Sequence, residues 1–253
     1  MGLVVENLTF SYRCFPVLKG VDFSVEAGNL VCMLGKNGAG KSTLFRCILG
    51  LLKGYQGKIT VDGVDLRTLK EKDMARKIAY IPQNHDQAFA FSVLDMVMMG
   101  TTSSLQGFQN PGKEQREAAF DALKTMRIEA MAERSYAHLS GGEQQLVLIA
   151  RAIAQQAGIL IMDEPCANLD YGNQARVMEE LKRLSREGYL IVQSTHSPPV
   201  SPASNNSQPG SGVSLRRPGG GSFGRGDQGF RKAGGGADRS TAGGHVWHTG
   251  SVI

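Results

Sequence analysis

The segment 35–42 constrains the fold of this chain more than any other part of the sequence. It reads Gly-Lys-Asn-Gly-Ala-Gly-Lys-Ser, a glycine-rich loop of the form GxxxxGK[ST]. Glycines let the backbone wrap tightly, so that consecutive N–H groups can point at phosphate oxygens, and a following helix presents its positive end to the same anion. Lys41 is placed to reach the β- and γ-phosphates of a nucleotide, and the Ser42 hydroxyl to ligate Mg²⁺. The sequence therefore predicts a strand, a phosphate-binding loop and a helix in succession.

Apolar patterns around this loop predict an α/β fold. Half-buried strands come first, separated by turns at Pro16 and Gly28, and later apolar runs lack alternation, as in strands covered on both faces of a parallel sheet. Strands are predicted at 3–10, 17–26, 30–34, 58–61, 78–81, 159–162 and 190–192. Helices are predicted from Lys41 to about Leu51, within 92–134 with breaks at 100–112, from Gly142 to about Ala157, and at 173–186. Strands that alternate with helices indicate a mainly parallel sheet.

Two acidic residues end one of the predicted buried strands. Asp163 and Glu164 follow the apolar run 159–162. Because α/β proteins bind ligands at the carboxyl ends of parallel strands, we expect both carboxylates to lie near the phosphate loop. Asp163 suits water-mediated coordination of Mg²⁺, and Glu164 suits a base or a group that orients water.

A second glycine-rich helix start, Ser140-Gly141-Gly142-Glu143, has two interpretations. It can bind a phosphate at the helix N-terminus. It can also be an ordinary capping box, in which Ser140 and Glu143 satisfy each other's backbone groups. The local geometry is the same in both cases, so the residues leave both open. If it does bind phosphate, the chain has two such helix starts and one Mg²⁺ site, and a solution is two chains that face each other.

These segments occur in an order that resembles the nucleotide-binding subunit of an ABC transporter. The resemblance covers about residues 3–198 and rests on the phosphate loop, Gln83 after Tyr-Ile-Pro, the LSGGEQQ sequence at 139–145, and segments 162–165, 167–170 and 194–196. It implies an α/β fold with a P-loop NTPase core, an N-terminal antiparallel β subdomain and an inserted α-helical subdomain at about 84–140. It also implies an ATP hydrolase coupled to transmembrane transport.

The resemblance implies a role for each residue of the site. Glu164 resembles the general base, Gln83 the residue that touches Mg²⁺ and water and senses the membrane partner, and His196 the contact to the γ-phosphate. Tyr12 resembles the aromatic that stacks on adenine; a plain surface tyrosine of a strand is the alternative, since aromatics favour strands. Residues implied in nucleotide binding are Gly35, Asn37, Gly38, Ala39, Gly40, Lys41, Ser42 and Thr43, with Ser140, Gly141, Gly142 and Asp170 acting across a dimer. The implied Mg²⁺ ligands are Ser42, Gln83 and Asp163. Cys166 departs from the family, which usually has Thr or Ser there. We expect the change to be tolerated because Cys is small, with a weakened hydroxyl contact.

The partners implied by the resemblance are a second copy of the chain, two membrane-spanning permease subunits and, indirectly, a substrate-binding protein. The location implied is peripheral, on the cytoplasmic face of the cell membrane. Segments 75–85, 91–100 and 108–111 resemble the branch that imports ferric siderophores, haem and cobalamin, with close relatives that carry molybdate. Thr101 stands where that branch usually has Arg. The substrate does not contact this subunit, so the preference for iron complexes rests on the resemblance.

Composition limits the other classes of partner. The chain is 41% hydrophobic and 20% charged, which is typical of a globular protein, and it has no apolar run long enough to span a membrane. Most of its net charge of +5 lies in residues 198–253, so the folded body shows no basic footprint and no nucleic-acid partner is expected. The four cysteines form no CxxC pair, which favours reduced thiols over a metal site.

The stretch 198–253 differs from the rest of the chain. It holds 14 of the 32 glycines and five of the nine prolines, with few apolar residues. Such a segment buries too little surface to offset its ordering entropy, so we expect it to be mostly disordered. Back-translation with a shift of one nucleotide permits sequences that resemble the ends of ABC subunits. This suggests the hypothesis that the stretch is read out of frame.

Two further functional classes compete with a transport ATPase. A non-transport ABC ATPase would carry a long coiled-coil insertion or two tandem cassettes, whereas Gln83 and Ser140 are separated by a stretch that fits only a compact helical subdomain. An ATP-dependent clamp or an inactive remnant is the other class. Glu164 and His196 argue against a clamp, while the altered tail leaves the remnant open.

Overall fold

The computed structural model describes residues 1–83, 91–104 and 111–196. The strands are β1 (Gly2–Tyr12), β2 (Phe15–Glu26), β3 (Leu30–Leu34), β4 (Gln56–Val61), β5 (Val64–Asp65), β6 (Ile78–Ile81), β7 (Ile159–Asp163) and β8 (Leu190–Thr195). The α-helices are α1 (Lys41–Ile48), α2 (Glu71–Ala75), α3 (Val93–Met98), α4 (Lys113–Thr125), α5 (Gly141–Ala154) and α6 (Tyr171–Arg186). Short 3₁₀ turns occupy Leu66–Thr68, Met99–Ser104, Glu129–Met131 and Tyr136–His138. The predictions for 84–90, 105–110 and the tail 198–253 lie outside the described residues.

An antiparallel sheet is built from the amino-terminal strands in the order β2-β1-β4-β5. Alternate residues of β1, including Leu3 and Val5, are buried, while Glu6 and Tyr12 at its other positions are exposed. This alternation follows from the period of two along a strand. The antiparallel β subdomain is therefore confirmed.

The predicted turn at Pro16 is wrong. The chain turns at Arg13 and Cys14 instead, and Arg13 takes a positive φ of 52°. Pro16 lies near the start of β2, opposite Ser11. Proline cannot donate a ladder hydrogen bond, but β2 is an edge strand of the sheet, and edge strands tolerate it.

A parallel sheet in the order β3-β8-β7-β6 forms the second layer. All residues of β7 are buried, because its two faces enter two different hydrophobic cores. Ile159 and Ile161 face a core shared with the antiparallel sheet and α1. Leu160 and Met162 face a core shared with α3, α4, α5 and α6. Burial of each such side chain contributes roughly 1.5–3 kcal/mol to stability. Because both faces are buried, β7 shows no alternation of apolar and polar residues, which explains the pattern from which it was predicted.

The helix boundaries differ from the predictions for local reasons. Helix α1 ends at Ile48 rather than near Leu51, because Gly50 takes a φ of 66° and its N–H donates to the Cys47 carbonyl over 3.0 Å. Helix α6 begins at Tyr171 rather than Asn173, because Asp170 caps it. The short elements β5 and α2 were not predicted, since neither is long enough to show a period. None of the helices in the described ranges is long and apolar enough to cross a membrane.

Candidate functional site

Four chain segments meet where the strands of the parallel sheet end. The phosphate loop follows β3, Gln83 follows β6 by two residues, Glu164 follows β7 and His196 follows β8. Because the strands are parallel and in register, their carboxyl ends lie on the same edge of the sheet. Topology therefore brings together residues that are far apart in the sequence.

The phosphate loop is closed by its own lysine. The Lys41 ammonium donates to the Gly35 carbonyl over 2.6 Å and to the Lys36 carbonyl over 3.3 Å. Gly38 and Gly40 take positive φ values of 79° and 90°, which side chains rarely adopt. The loop is joined to the end of β8, because the Gly35 N–H donates to the Thr195 carbonyl over 3.4 Å. Lys41 is buried, so its charge lies in a poorly hydrated place at the start of α1.

Asp163 and Glu164 occupy different environments although they are adjacent. Asp163 is buried and accepts a hydrogen bond from the Ser194 hydroxyl over 2.5 Å. Glu164 takes a positive φ of 51°, an uncommon conformation for a residue with a side chain, and its N–H donates to the Ser194 Oγ over 3.0 Å. The backbone turn after β7 therefore separates the directions of the two carboxylates.

The Glu164 carboxylate is held by two partners at the same oxygen. Gln83 Nε2 donates to Glu164 Oε2 over 2.9 Å, and His196 Nε2 lies 2.7 Å from it. The Glu164 side chain is 9% exposed and that of His196 is 44% exposed. The contact with His196 is an ion pair only when the imidazole is protonated. Glu164 is thus oriented from two sides by residues of other strand ends.

A cavity of about 460 Å³ opens at this edge of the sheet. Its lining contains most of the predicted site: Asn37, Gly38, Ala39, Gly40, Lys41, Ser42, Thr43, Gln83, Glu164 and His196, together with Val17. Two other clefts of about 520 and 530 Å³ lie on α4, one of them also touching the amino ends of β7 and β8. Neither lies at the carboxyl ends of the strands, so chemistry rather than volume identifies the candidate site.

The second glycine-rich helix start lies outside this cavity. Ser140 caps α5: its Oγ accepts from the Glu143 N–H over 3.4 Å, and Glu143 Oε2 accepts from the Ser140 N–H over 2.8 Å. The hydrogen bonds from the Ser140 N–H and hydroxyl hold the pKa of Glu143 below its usual value. The capping box is therefore formed, and Ser140 and Gly141 are exposed rather than directed into the site of their own chain.

Gly142 is fixed by a neighbour in the same chain. A Cβ at this position would collide with the Asn173 side chain at the start of α6. Asn173 in turn donates to Asp170 from its N–H over 2.9 Å and from its Nδ2 over 2.7 Å. The backbone bond from Asn173 is the main reason that the pKa of Asp170 is lowered. The starts of α5 and α6 therefore pack on each other, which brings Gly142 next to the loop that ends at Asp170.

The sequence that builds this geometry matches a known family. The family model described as ABC transporter matches residues 18–167. The chain belongs to the ABC transporter family. An uncharacterised ABC transporter ATP-binding protein of Haemophilus influenzae is 46% identical over 198 residues, which cover 78% of this chain and 75% of that protein. Other relatives, 36–38% identical, are named for manganese, iron chelatin, molybdate and zinc transport.

Solved ABC structures share the fold. An inward-facing ABC transporter described as metal-chelate type is 36% identical, with a TM-score of 0.69, and the match covers 78% of this chain and 73% of that one. The dimeric bacterial ABC cassette MJ0796 is 29% identical, with a TM-score of 0.64, over 77% of this chain and 88% of that one. The resemblance and the fold class are confirmed. Membership makes the chain an ATP-binding protein whose ATP hydrolysis is coupled to transport.

Some predicted site residues of this ABC subunit do not line the cavity. Tyr12 ends β1, is exposed, and packs edge-to-face on Phe10 with ring centroids 4.9 Å apart. Gly35 and Asp163 are not among the residues that line the cavity. Cys166 is partly buried, and burial raises the pKa of its thiol to about 11, so the thiol is neutral at pH 7.

Two residues near the site had no role predicted from the sequence of this ABC subunit. Val17, in β2, lines the cavity because β2 passes close to the phosphate loop, and no local pattern marks it. Ser194 joins Asp163 to Glu164, and its pairing opposite Asp163 follows from the register of β7 and β8. Register in a parallel sheet is not readable from either strand alone.

Proposed function

We propose that this chain is the ATP-hydrolysing subunit of an importer and that Glu164 is its general base. The observation that supports the proposal is the convergence of Gln83 and His196 on one Glu164 oxygen, beside the phosphate loop and in the same cavity. A carboxylate held from two sides can accept a proton from a water that attacks the γ-phosphate. Positioning of this kind supplies much of the rate in phosphoryl transfer.

The phosphate loop binds and orients the nucleotide in this proposal. Its N–H groups and the start of α1 hold the phosphates, and the Lys41 ammonium exchanges contacts with loop carbonyls for contacts with the β- and γ-phosphates. Ser42 and Gln83 line the cavity and carry oxygen, the ligand type that Mg²⁺ prefers, so they would hold the ion, and Asp163, which is not part of the cavity lining, would act on it through water. Bound there, Mg²⁺ would neutralise charge on the phosphates. Tyr12 stacks on the adenine.

The active unit that we propose is a homodimer with two shared ATP molecules. Ser140, Gly141 and Gly142 bind the ATP held by the phosphate loop of the partner subunit, and Asp170 couples the two sites. Two features support this arrangement: the exposed Ser140 and Gly141, and their position outside the cavity of their own chain. A symmetric dimer then completes two sites at once.

The further partners are two membrane-spanning permease subunits and, indirectly, a substrate-binding protein, with this chain peripheral on the cytoplasmic face. We assign the ATPase domain to residues 1–197, with the helical subdomain at about 84–140, and leave 198–253 as a separate tail. An iron complex, such as a ferric siderophore or haem, or else cobalamin, is the proposed cargo, in line with the names of the iron-chelatin and metal-chelate relatives. Molybdate is the alternative.

The decisive experiment on hydrolysis is Glu164→Gln. A lost general base lowers kcat by at least about 100-fold while ATP binding persists, so the variant should retain ATP and accumulate as a dimer on size exclusion. Glu179→Gln, at an exposed position on α6, is the matched control and should keep full activity. A wild-type chain with no ATPase activity, alone or with its permease, would instead favour the inactive remnant.

The cargo is tested with the permease and the substrate-binding protein that the proposal assigns to this chain. The complex is reconstituted in vesicles, and ATPase activity is measured with the binding protein loaded with a ferric siderophore, haem, cobalamin or molybdate. Stimulation by one of the first three supports the proposal. Stimulation by molybdate alone, or by a bare metal ion alone, contradicts it.

A further inference from the structure

Ser194 uses one hydroxyl to join both acidic residues at the end of β7. Its Oγ donates to Asp163 Oδ1 over 2.5 Å and accepts from the Glu164 N–H over 3.0 Å. A serine hydroxyl has one donor and two acceptor positions, so both kinds of bond can be made at once. Ser194 is fully buried, so water does not replace it easily at either bond.

The position of Ser194 is set by the sheet. In the parallel pairing of β7 with β8, Ser194 lies opposite Asp163, and the backbone turns away from the ladder at the next residue, Glu164. The last rung of this ladder therefore carries a side-chain bridge in addition to its backbone pairing. The bridge is made at the point where β7 stops and the site begins.

The backbone of Glu164 needs such support. Its φ of 51° is rare for a residue with a side chain, and conformations of this kind persist only where the surroundings hold them. Ser194 Oγ accepts from the Glu164 N–H, which comes directly before this φ torsion along the backbone. The bond therefore fixes the peptide plane from which the Glu164 side chain departs. The far end of the same side chain is held by Gln83 and His196.

We propose that Ser194 is a positioning residue that fixes the strained Glu164 backbone, and with it the direction of the Glu164 carboxylate, through its bridge to Asp163. Ser194 does not line the cavity and does not touch the nucleotide in this scheme. The inference rests on the proposed role of Glu164 as the base. Its effect is therefore on the chemical step and not on ATP binding.

The test is Ser194→Ala in the full chain, with its permease where the complex is available. Since misplacement of a reacting group by about 1 Å can lower the rate about 100-fold, we expect kcat to fall by about 10- to 100-fold. The affinity for trinitrophenyl-ATP without Mg²⁺ should stay within about 2-fold, since Ser194 does not touch the nucleotide in this scheme. Ser194→Thr keeps the hydroxyl and should restore most of kcat.

A matched control separates positioning from packing. Ser185→Ala also removes a buried serine hydroxyl, one that donates to the Lys182 carbonyl on α6 away from the site. Both variants remove a buried serine hydroxyl, but only Ser194→Ala should lower kcat. Equal loss of kcat in both would overturn the inference, as would a Ser194→Thr variant that melts normally but is as inactive as Ser194→Ala.

Two further readouts distinguish this inference from the proposed function itself. In a Glu164→Gln background, Ser194→Ala should cause no additional loss of kcat, because the residue acts through Glu164; an additional loss of the same size would overturn it. Amide hydrogen exchange in a peptide that contains Glu164 should accelerate in Ser194→Ala and not in Ser185→Ala, whether or not the chain is active. If Glu164→Gln keeps full activity, the proposed function fails, and any loss in Ser194→Ala then acts elsewhere and contradicts the inference too.

Discussion

The chain contains two glycine-rich helix starts, and they differ in how their N-termini are satisfied. Helix α1 follows Gly40, which has a φ of 90° and no side chain with which to cap the helix. Helix α5 follows Ser140, whose side chain and that of Glu143 form a complete capping box. The first N–H groups of α1 have no side-chain cap of their own and depend on groups from elsewhere. Those of α5 are capped by Ser140 and Glu143 of the same helix start.

The surroundings of the two helix starts also differ. The start of α1 lines the cavity with Gln83, Glu164 and His196, and its lysine closes the loop. The start of α5 lies outside that cavity and packs through Gly142 on Asn173. One helix start therefore lies in the candidate site, and the other presents an exposed surface outside it. Two glycine-rich helix N-termini thus have different surroundings in the same chain.

The largest expected effect is at the first helix start. Lys41→Ala removes the buried ammonium that contacts the Gly35 and Lys36 carbonyls, and we expect kcat/KM for ATP to fall by at least about 100-fold. Lys36→Ala is the matched control in the same loop, because Lys36 is exposed and contributes only its carbonyl. Steady-state ATPase measurements check the pair. Similar losses in both variants would mean that loop charge in general, rather than Lys41, is what matters.

A mixing experiment tests whether the two starts belong to different halves of one site. Gly141→Asp places a negative charge at the exposed start of α5, where it repels a phosphate, and its Cβ meets only the tip of the Leu169 side chain. An acidic residue is also compatible with the first turn of a helix. Lys41→Ala and Gly141→Asp chains, each inactive alone, should regain about a quarter of wild-type activity when mixed, since half of random dimers have one intact site.

The control for the mixture uses two changes in the same half. Lys41→Ala mixed with Glu164→Gln should remain inactive, because both residues line the cavity of a single chain. Measurements are ATPase rates at several mixing ratios. If the first mixture also stays inactive although dimers form, both helix starts act within one chain. The start of α5 then does not complete the site of a partner subunit.

The fold was largely predictable from the sequence, and the exceptions have physical causes. Buried strands such as β7 and the amphipathic helix α5 showed strong patterns because their faces enter hydrophobic cores. The turn at Arg13 was missed because a proline nearby gave a stronger turn signal, although an edge strand tolerates proline. Short elements such as β5 carry too few residues for any pattern.

The sequence predicted which residues form the candidate site and their order along the chain better than where they lie in space. Lys41, Gln83, Glu164 and His196 were named from sequence, and the parallel sheet explains why they meet. The sequence could not distinguish a capping box from a phosphate site at Ser140, since both use the same atoms of the same residues. The bridge made by Ser194 could not be found because its partners are set by strand register.

A smaller effect is expected at Gly142. A methyl group there meets the Asn173 side chain, so Gly142→Ala should destabilise the chain by about 1–3 kcal/mol through overpacking between α5 and α6. Gly112→Ala, at the start of α4, is the control, because a Cβ there makes only an ordinary contact with Gln115. Urea unfolding measures both. If Gly142→Ala is as stable as the control, the packing of the two helix starts is looser than the structure indicates.

The smallest expected effect concerns the capping box itself. Ser140→Ala removes the hydroxyl cap of α5 and should lower the free energy of unfolding by about 1 kcal/mol. The Ser140 N–H still donates to Glu143 in this variant, so the box is weakened rather than abolished. Ser11→Ala, at an exposed position on β1, is the control for the loss of a serine hydroxyl. Urea unfolding compares the two, and equal stabilities would show that the Ser140 hydroxyl does not hold the start of α5.

The cap also predicts a dependence of stability on pH. The pKa of Glu143 is lowered in the folded chain by the hydrogen bonds from Ser140, so its contribution is fully present above the unfolded pKa, about 4.3, and is lost as the pH falls through the lower folded value. Glu143→Gln should therefore be less stable than wild type at neutral pH, and the difference should shrink in acid. Glu179→Gln, exposed on α6, is the control. Urea midpoints across this range measure the effect, and a difference that stays constant with pH would show that the carboxylate charge of Glu143 does not stabilise the start of α5.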